Sequence, residues 1–427
     1  MGKPVHIFVR DEEGHRIPFP ETEFNGVMFK GNRDGVIDFE IWEGETHARY
    51  TVLRAGFESK IIDTDIPSEG MYCESVSLKE ETIQPDINPA QDFWCAEENL
   101  FNDNGVFRVQ GLSVFHDFLK WLKGDRNDEL NKWARSIGAN WKRVFGSSGY
   151  DNIDFNPYDD YDRYFRELPL YLEYQREQGF CIEFTPLCRA EVFDSLQKCR
   201  DFTWDCSEVL SQHEHCWHNI ANEPYKNLPK DVTPQQLVDC IVNGSKYDLG
   251  STPPPSEDAY EPTGPGVTGH ADRGPEWVRK ARQGQEVRER YHKPFISDEP
   301  MGADANNQPG SRSNVPTDFY QFHALGSQYY GNVIHFTQGR YGNMPQGKER
   351  ECVEAGAKAW ADVPAKFLEG NFLYIMKNLP GEKCYGVELG NQGCAVVVKP
   401  NGQQAIPETG WVITKNIDNI VYHLEKA

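Results

Sequence analysis

Between residues 106 and 378 the chain alternates short apolar runs with segments whose apolar residues recur at helical spacing. The runs lie at 106–110, 140–146, 180–186, 215–223, 245–249, 267–270, 294–299 and 332–338. The helical segments between and after them lie at 116–137, 158–178, 191–212, 233–242, 276–291, 317–325 and 351–378. Alternation of this kind forces parallel pairing with right-handed crossovers. Eight such repeats in about 250 residues match a closed (β/α)8 barrel. An open doubly wound sheet would show the same alternation. No G-x-G-x-x-G follows the first strand, however, so nucleotide binding of that type has no support. The expected fold is α/β, a TIM barrel.

The flanks read differently. Residues 4–80 carry short β-branched and aromatic runs at 5–10, 35–42, 48–55, 60–65 and 72–78, separated by Gly-bearing turns. That pattern predicts a small β-sandwich, and it resembles the prealbumin-like modules that precede many enzyme domains. Residues 80–91, with Pro85 and Pro89, read as a linker. After Leu379, strand candidates at 383–389, 394–399, 411–415 and 421–424 predict a small antiparallel sheet. The expected division is 1–82 sandwich, 83–378 barrel and 379–427 C-terminal β unit.

Composition narrows the partners. The formal charge is −22, from 66 acids against 44 bases. Phosphate contacts need clustered Lys and Arg, so neither nucleic acid nor an anionic membrane is an expected partner. No apolar run is long enough to span a bilayer. The opening residues lack the apolar core of a signal peptide. A cytoplasmic or virion-associated protein, or a secreted one with its signal removed, is therefore expected. The 11 cysteines are odd in number and include no C-x-x-C, which favours reduced, buried thiols over a disulfide or zinc framework.

The chemistry concentrates at two strand ends. His215 to Ala221 is apolar and buried in character, and it ends in Asn222-Glu223-Pro224. A second run, Phe295-Ile296-Ser297, ends in Asp298-Glu299-Pro300. In a barrel, active sites lie at the C-terminal ends of the strands. Two carboxyls from strands four and seven can face one another there, and glycoside hydrolysis needs two. Asp298 competes with Glu299 for the second role.

Asn222-Glu223-Pro224 together with Glu299 resembles the acid/base and nucleophile of clan A retaining glycoside hydrolases. The resemblance covers roughly 107–338. It implies double displacement: Glu299 attacks, and Glu223 serves first as acid and then as base. It implies that Asn222 bonds the sugar and that Arg143, in the second strand, supports the nucleophile. His270 falls where the clan presents a His or Tyr. Trp277 is a candidate sugar platform. Strand eight holds no Trp, which leaves His335 and Gln338 as its candidate contacts. The substrate implied is a β-linked polysaccharide or oligosaccharide, with no cofactor and no metal, and the accessory β module and loop-rich second half suggest internal cleavage. The rival readings are a non-catalytic carbohydrate-binding or virion-associated protein on a degenerate barrel, and a metal-dependent hydrolase using His213, His215 and His218. Asp159, Asp160 and Asp162 resemble a calcium loop but suit a helix start better.

Overall fold

The computed structural model describes residues 3–10, 21–24, 27–30, 36–41, 47–53, 60–65, 72–77, 88–149, 154–189, 191–243, 245–250, 264–269, 277–298, 315–329, 331–335, 342–363, 371–374, 376–377, 385–389, 392–398, 406–407, 409–417 and 421–427. The chain divides into two compact units, Met1–Ile87 and Asn88–Ala427.

The first unit holds seven strands in two sheets. Lys3–Arg10 pairs antiparallel with Val36–Ile41 and parallel with Tyr72–Ser77. Glu21–Phe24, Val27–Lys30, His47–Leu53 and Lys60–Asp65 form the other sheet, antiparallel throughout. Along the first strand Val5, Ile7 and Val9 are buried while Phe8 is exposed, the period-two alternation of a half-buried strand.

The second unit is built on an eight-stranded parallel sheet. Its strands are β1 (Gln110–Ser113), β2 (Trp141–Phe145), β3 (Cys181–Thr185), β4 (Cys216–Asn219), β5 (Tyr247–Asp248), β6 (Val267–Gly269), β7 (Phe295–Ser297) and β8 (Asn332–His335). They are ordered 5-4-3-2-1-8-7-6, so β1 pairs with both β2 and β8, as in a closed ring. Between β5 and β6 the side chains meet: Thr268 Oγ1 donates to Asp248 Oδ1 at 2.9 Å. The helices are α1 (Asp117–Leu122), α2 (Asp128–Ser136), α3 (Tyr161–Glu177), α4 (Leu196–Leu210), α5 (Trp277–Tyr291), α6 (Pro316–Tyr329) and α7 (Gly347–Asp362). The barrel with small extra β units is the fold expected from the sequence.

Three boundaries differ. Val106 and Phe107 do not open the barrel. They belong to an antiparallel ribbon of Trp94–Ala96, Asn99–Asn102 and Gly105–Phe107, and β1 starts at Gln110. The ribbon closes the N-terminal end of the barrel. Phe93 packs on Phe107, Trp141 and Trp217, in one buried cluster with Cys181, Ile296 and Ile334. An apolar run cannot say by itself whether it pairs within a hairpin or across a barrel. The helix expected over 116–137 is two helices, because Asn127 takes a left-handed backbone (φ 58°) and its N–H donates to Asp125 Oδ1 at 2.9 Å. The helix expected over 351–378 ends at Asp362, and Asn371–Tyr374 and Met376–Lys377 are strands.

The C-terminal strands Asn371–Tyr374, Tyr385–Leu389, Gln392–Val398, Val421–Lys426 and Trp411–Ile417 form one antiparallel sheet. Asp362, closing α7, ties it to the barrel. Its Oδ2 accepts from Lys415 Nζ at 2.5 Å and from Tyr320 Oη at 2.6 Å. Eight cysteines among the described residues are free thiols, and seven of these are buried.

Candidate active site

Period-two alternation in β2 sets Lys142 and Arg143 on opposite faces. Lys142 faces the helices, where its Nζ donates to Asp117 Oδ2 at 2.7 Å, Asn131 Oδ1 at 2.5 Å and Gln175 Oε1 at 2.9 Å. Arg143 faces the barrel interior. Its Nε lies 3.1 Å from Glu183 Oε1 on β3. Its Nη2 donates to Asn222 Oδ1 at 2.8 Å and lies 3.2 Å from Asp298 Oδ2. Phe115 and Phe145 stack on each other with centroids 3.8 Å apart, and each ring lies 5.3 Å from the guanidinium carbon.

Strand β4 runs on past Asn219. Ala221 bridges Leu187, and the Asn222 N–H donates to Leu187 O at 3.1 Å. Glu223 follows at the C-terminal rim with a left-handed backbone, φ 40° and ψ 68°, immediately before the single helical turn Pro224–Asn227. An L-residue there costs on the order of 1 kcal/mol or more, and such strain concentrates at functional positions. The Glu223 side chain is 19% exposed. Its Oε1 accepts from Lys226 Nζ at 2.6 Å and from Tyr225 Oη at 2.9 Å. The Tyr225 ring is 56% exposed beside it.

Below the rim lies a layer of buried acids. Glu183 also accepts from Asn219 Nδ2 at 2.8 Å and Trp141 Nε1 at 3.3 Å. Asp248 accepts from the Trp217 indole, from the Gly250 N–H at 2.7 Å and from Thr268. Burial pushes Glu183 up to about 7, against the opposing pull of Arg143. Burial likewise pushes Asp248 up to about 7, against its hydrogen-bond donors. One guanidinium cannot neutralise Glu183, Asp248 and Asp298 together in so dry an interior.

A pH dependence of stability follows. Between its ordinary value and about 7, each raised acid keeps a proton in the folded barrel that the unfolded chain has already lost. The stability these groups confer is greatest below the ordinary carboxylate value. It falls as pH rises to about 7, by about 1.4 kcal/mol per pH unit for each group. Asp248→Asn should make that slope shallower by one group's share between pH 5 and 7, measured by urea unfolding at both pH values. An unchanged slope would show Asp248 to be ionised throughout.

Of the residues expected at the site, Arg143, Asn222 and Glu223 converge on the C-terminal ends of β2 and β4. His335 does not join them. Ile334 is the inward residue of β8, so His335 points to the helical layer, where it stacks on His323 of α6 with centroids 4.0 Å apart. A Cβ on Gly356 of α7 would lie 2.6 Å from the His335 ring. Glu299, His270 and Gln338 lie outside the described residues, and Trp277 opens α5 with its side chain outside them as well.

The three histidines of the metal reading do not share a site. His215 Nε2 bonds Leu172 O at 3.1 Å, His213 faces Glu173, and His218 is buried on the outer face of β4. Asp160 caps α3, its carboxylate accepting from the Arg163 N–H. Sequence reasoning missed Glu183 and Asp248. The signal for Glu183 was there: a carboxylate inside an apolar run, two residues along β3 from Cys181, whose side chain points inward. Asp248 sat in a run too short to assign parity.

No protein-family profile matches this chain, and no curated protein does. Solved structures do. A candidate glycoside hydrolase from Bacteroides vulgatus superposes with a TM-score of 0.52 at 13% identity, covering 100% of this chain and 99% of that one. A glycoside hydrolase family 5 protein from the same organism gives 0.51 at 12% identity, covering 78% and 92%. The fold is that of glycoside hydrolases. The C-terminal rim of such a barrel, where Glu223 lies, is the face on which active sites are built.

Proposed function

We propose that this chain is a retaining β-glycoside hydrolase acting internally on a β-linked polysaccharide. Glu223 is the acid/base and Glu299 the nucleophile. The observation that carries the reading is the Arg143 hub, which links the ends of β3, β4 and β7 through Glu183, Asn222 and Asp298. Asp298 is buried against Arg143, which supports assigning the attacking carboxyl of the Asp298-Glu299 pair to Glu299. Once a sugar ring occupies the rim, Glu299 attacks the anomeric carbon as Glu223 protonates the leaving oxygen. Glu223 then takes a proton from the water that releases the sugar.

The purified protein should depolymerise at least one β-linked glycan in a polysaccharide panel. Solution viscosity should fall before monosaccharide accumulates, and the anomeric configuration should be retained in the first products by NMR. Release of monosaccharide alone would overturn internal cleavage, and inversion would overturn double displacement. Glycan binding with no hydrolysis would leave a carbohydrate-binding protein on the same fold.

A further inference from the structure

We propose that Glu183 is a positioning residue for this reaction: its buried ion pair with Arg143 holds the guanidinium where one Nη2 reaches both Asn222 and Asp298. The inference rests on the glycosidase reading for its kinetic consequence, but its structural content stands apart from that reading.

A guanidinium is rigid, so a group packed against Nε limits where its Nη groups sit. Glu183 supplies that contact from β3: its Oε1 lies 3.1 Å from Nε as a buried ion pair, without the alignment of a hydrogen bond. It is itself anchored, Oε1 by Asn219 of β4 at 2.8 Å and Oε2 by Trp141 of β2 at 3.3 Å. Arg143 can only donate, so the contact at 2.8 Å must fall on the Asn222 oxygen and turns the amide nitrogen away from it. Asn222 immediately precedes Glu223, and Asp298 immediately precedes Glu299. A shift of the guanidinium is thus passed to both strand ends that carry the assigned carboxyls. The third acid of the layer, Asp248, is bonded instead to Trp217, Gly250 and Thr268.

The test compares Glu183→Gln with Glu354→Gln on the best substrate of the panel. Glu183→Gln should lower kcat by about 10²-fold with KM changed little, because misplacement by about 1 Å at the reacting groups costs that much. Glu354→Gln removes an acid of α7 that accepts from Trp133 and Arg350, outside the site, and should keep kcat within about threefold. Equal losses in the two variants, or an unchanged kcat in Glu183→Gln, would overturn the proposal. A crystal structure of Glu183→Gln supplies a readout independent of turnover, in which Arg143 Nη2 should lie beyond hydrogen-bond reach of Asn222 Oδ1. If the wild type cleaves no glycan, the catalytic reading fails, and a retained Arg143–Asn222 contact in that crystal structure would still refute the positioning role by itself. Should Glu183→Gln not fold, Glu183→Asp keeps the charge on a shorter stem. It should show a smaller kcat loss and a lengthened contact to Arg143 Nε, and wild-type values for both would count against the proposal.

Discussion

Glu223→Gln is expected to lower kcat on a β-linked glycan by about 10²–10⁴-fold, the usual worth of a positioned proton donor. The loss should depend on the leaving group. An aryl glycoside with an acidic phenol needs little protonation, so its first step should be nearly spared, whereas an alkyl or sugar leaving group should show the full effect. Added azide should restore turnover of the activated substrate in Glu223→Ala and yield a glycosyl azide of retained configuration, because a small anion needs no base. Structural damage is a poor rival explanation. Glu223 lies at the rim with 19% exposure, and a Gln oxygen can still accept from Lys226 and Tyr225. A loss of the same size for every leaving group, without azide rescue, would remove Glu223 from the acid/base role.

Lys142→Met is expected to destabilise the barrel by about 3–5 kcal/mol, the cost of stranding a buried charge. Asp117 Oδ2 accepts from Lys142 at 2.7 Å, from Tyr171 Oη at 3.0 Å and from Gln175 Nε2 at 3.3 Å, and Oδ1 accepts from Asn127 at 2.7 Å. Burial lowers the Lys142 pKa, while Asp117, with a smaller contribution from Asp128, raises it. Without Lys142, Asp117 stays buried with its neutral donors alone. The pairing crosses four elements, since Lys142 is on β2, Asp117 on α1, Asn131 on α2 and Gln175 on α3. Replacing both charges, as Lys142→Met with Asp117→Asn, should recover part of the loss. Urea unfolding followed through the barrel transition measures both variants. A loss below about 1 kcal/mol in the single variant would show that the pair contributes little.

Much of the barrel was legible because its strands are short and apolar and end in Pro, Gly or polar residues. Seven of the eight strand positions could be placed this way, from β2 at Trp141–Phe145 to β8 at Asn332–His335. Two of the failures share one cause. Val106-Phe107 and His335 each carry a local pattern compatible with two surroundings. Phe107 suits a barrel strand or a hairpin, and the hairpin wins because it covers Trp141 and Trp217 at the open end of the barrel. His335 suits a sugar cleft or a helix interface, and strand parity, set by the inward Ile334, decides for the interface.

From residue order alone came the alternation that makes a parallel barrel, the polar ends of strands four and seven, and the choice of Arg143, Asn222 and Glu223. Those are local facts, carried by periodicity and by where proline halts a run. Which carboxylates meet the arginine is not local. Glu183, Asn222 and Asp298 stand 40, 79 and 155 positions beyond Arg143 in the chain, and only closure of the ring brings their side chains within about 3 Å of one guanidinium. The folded barrel made that selection, because desolvated charge must find its partner among whatever side chains the strand register turns inward.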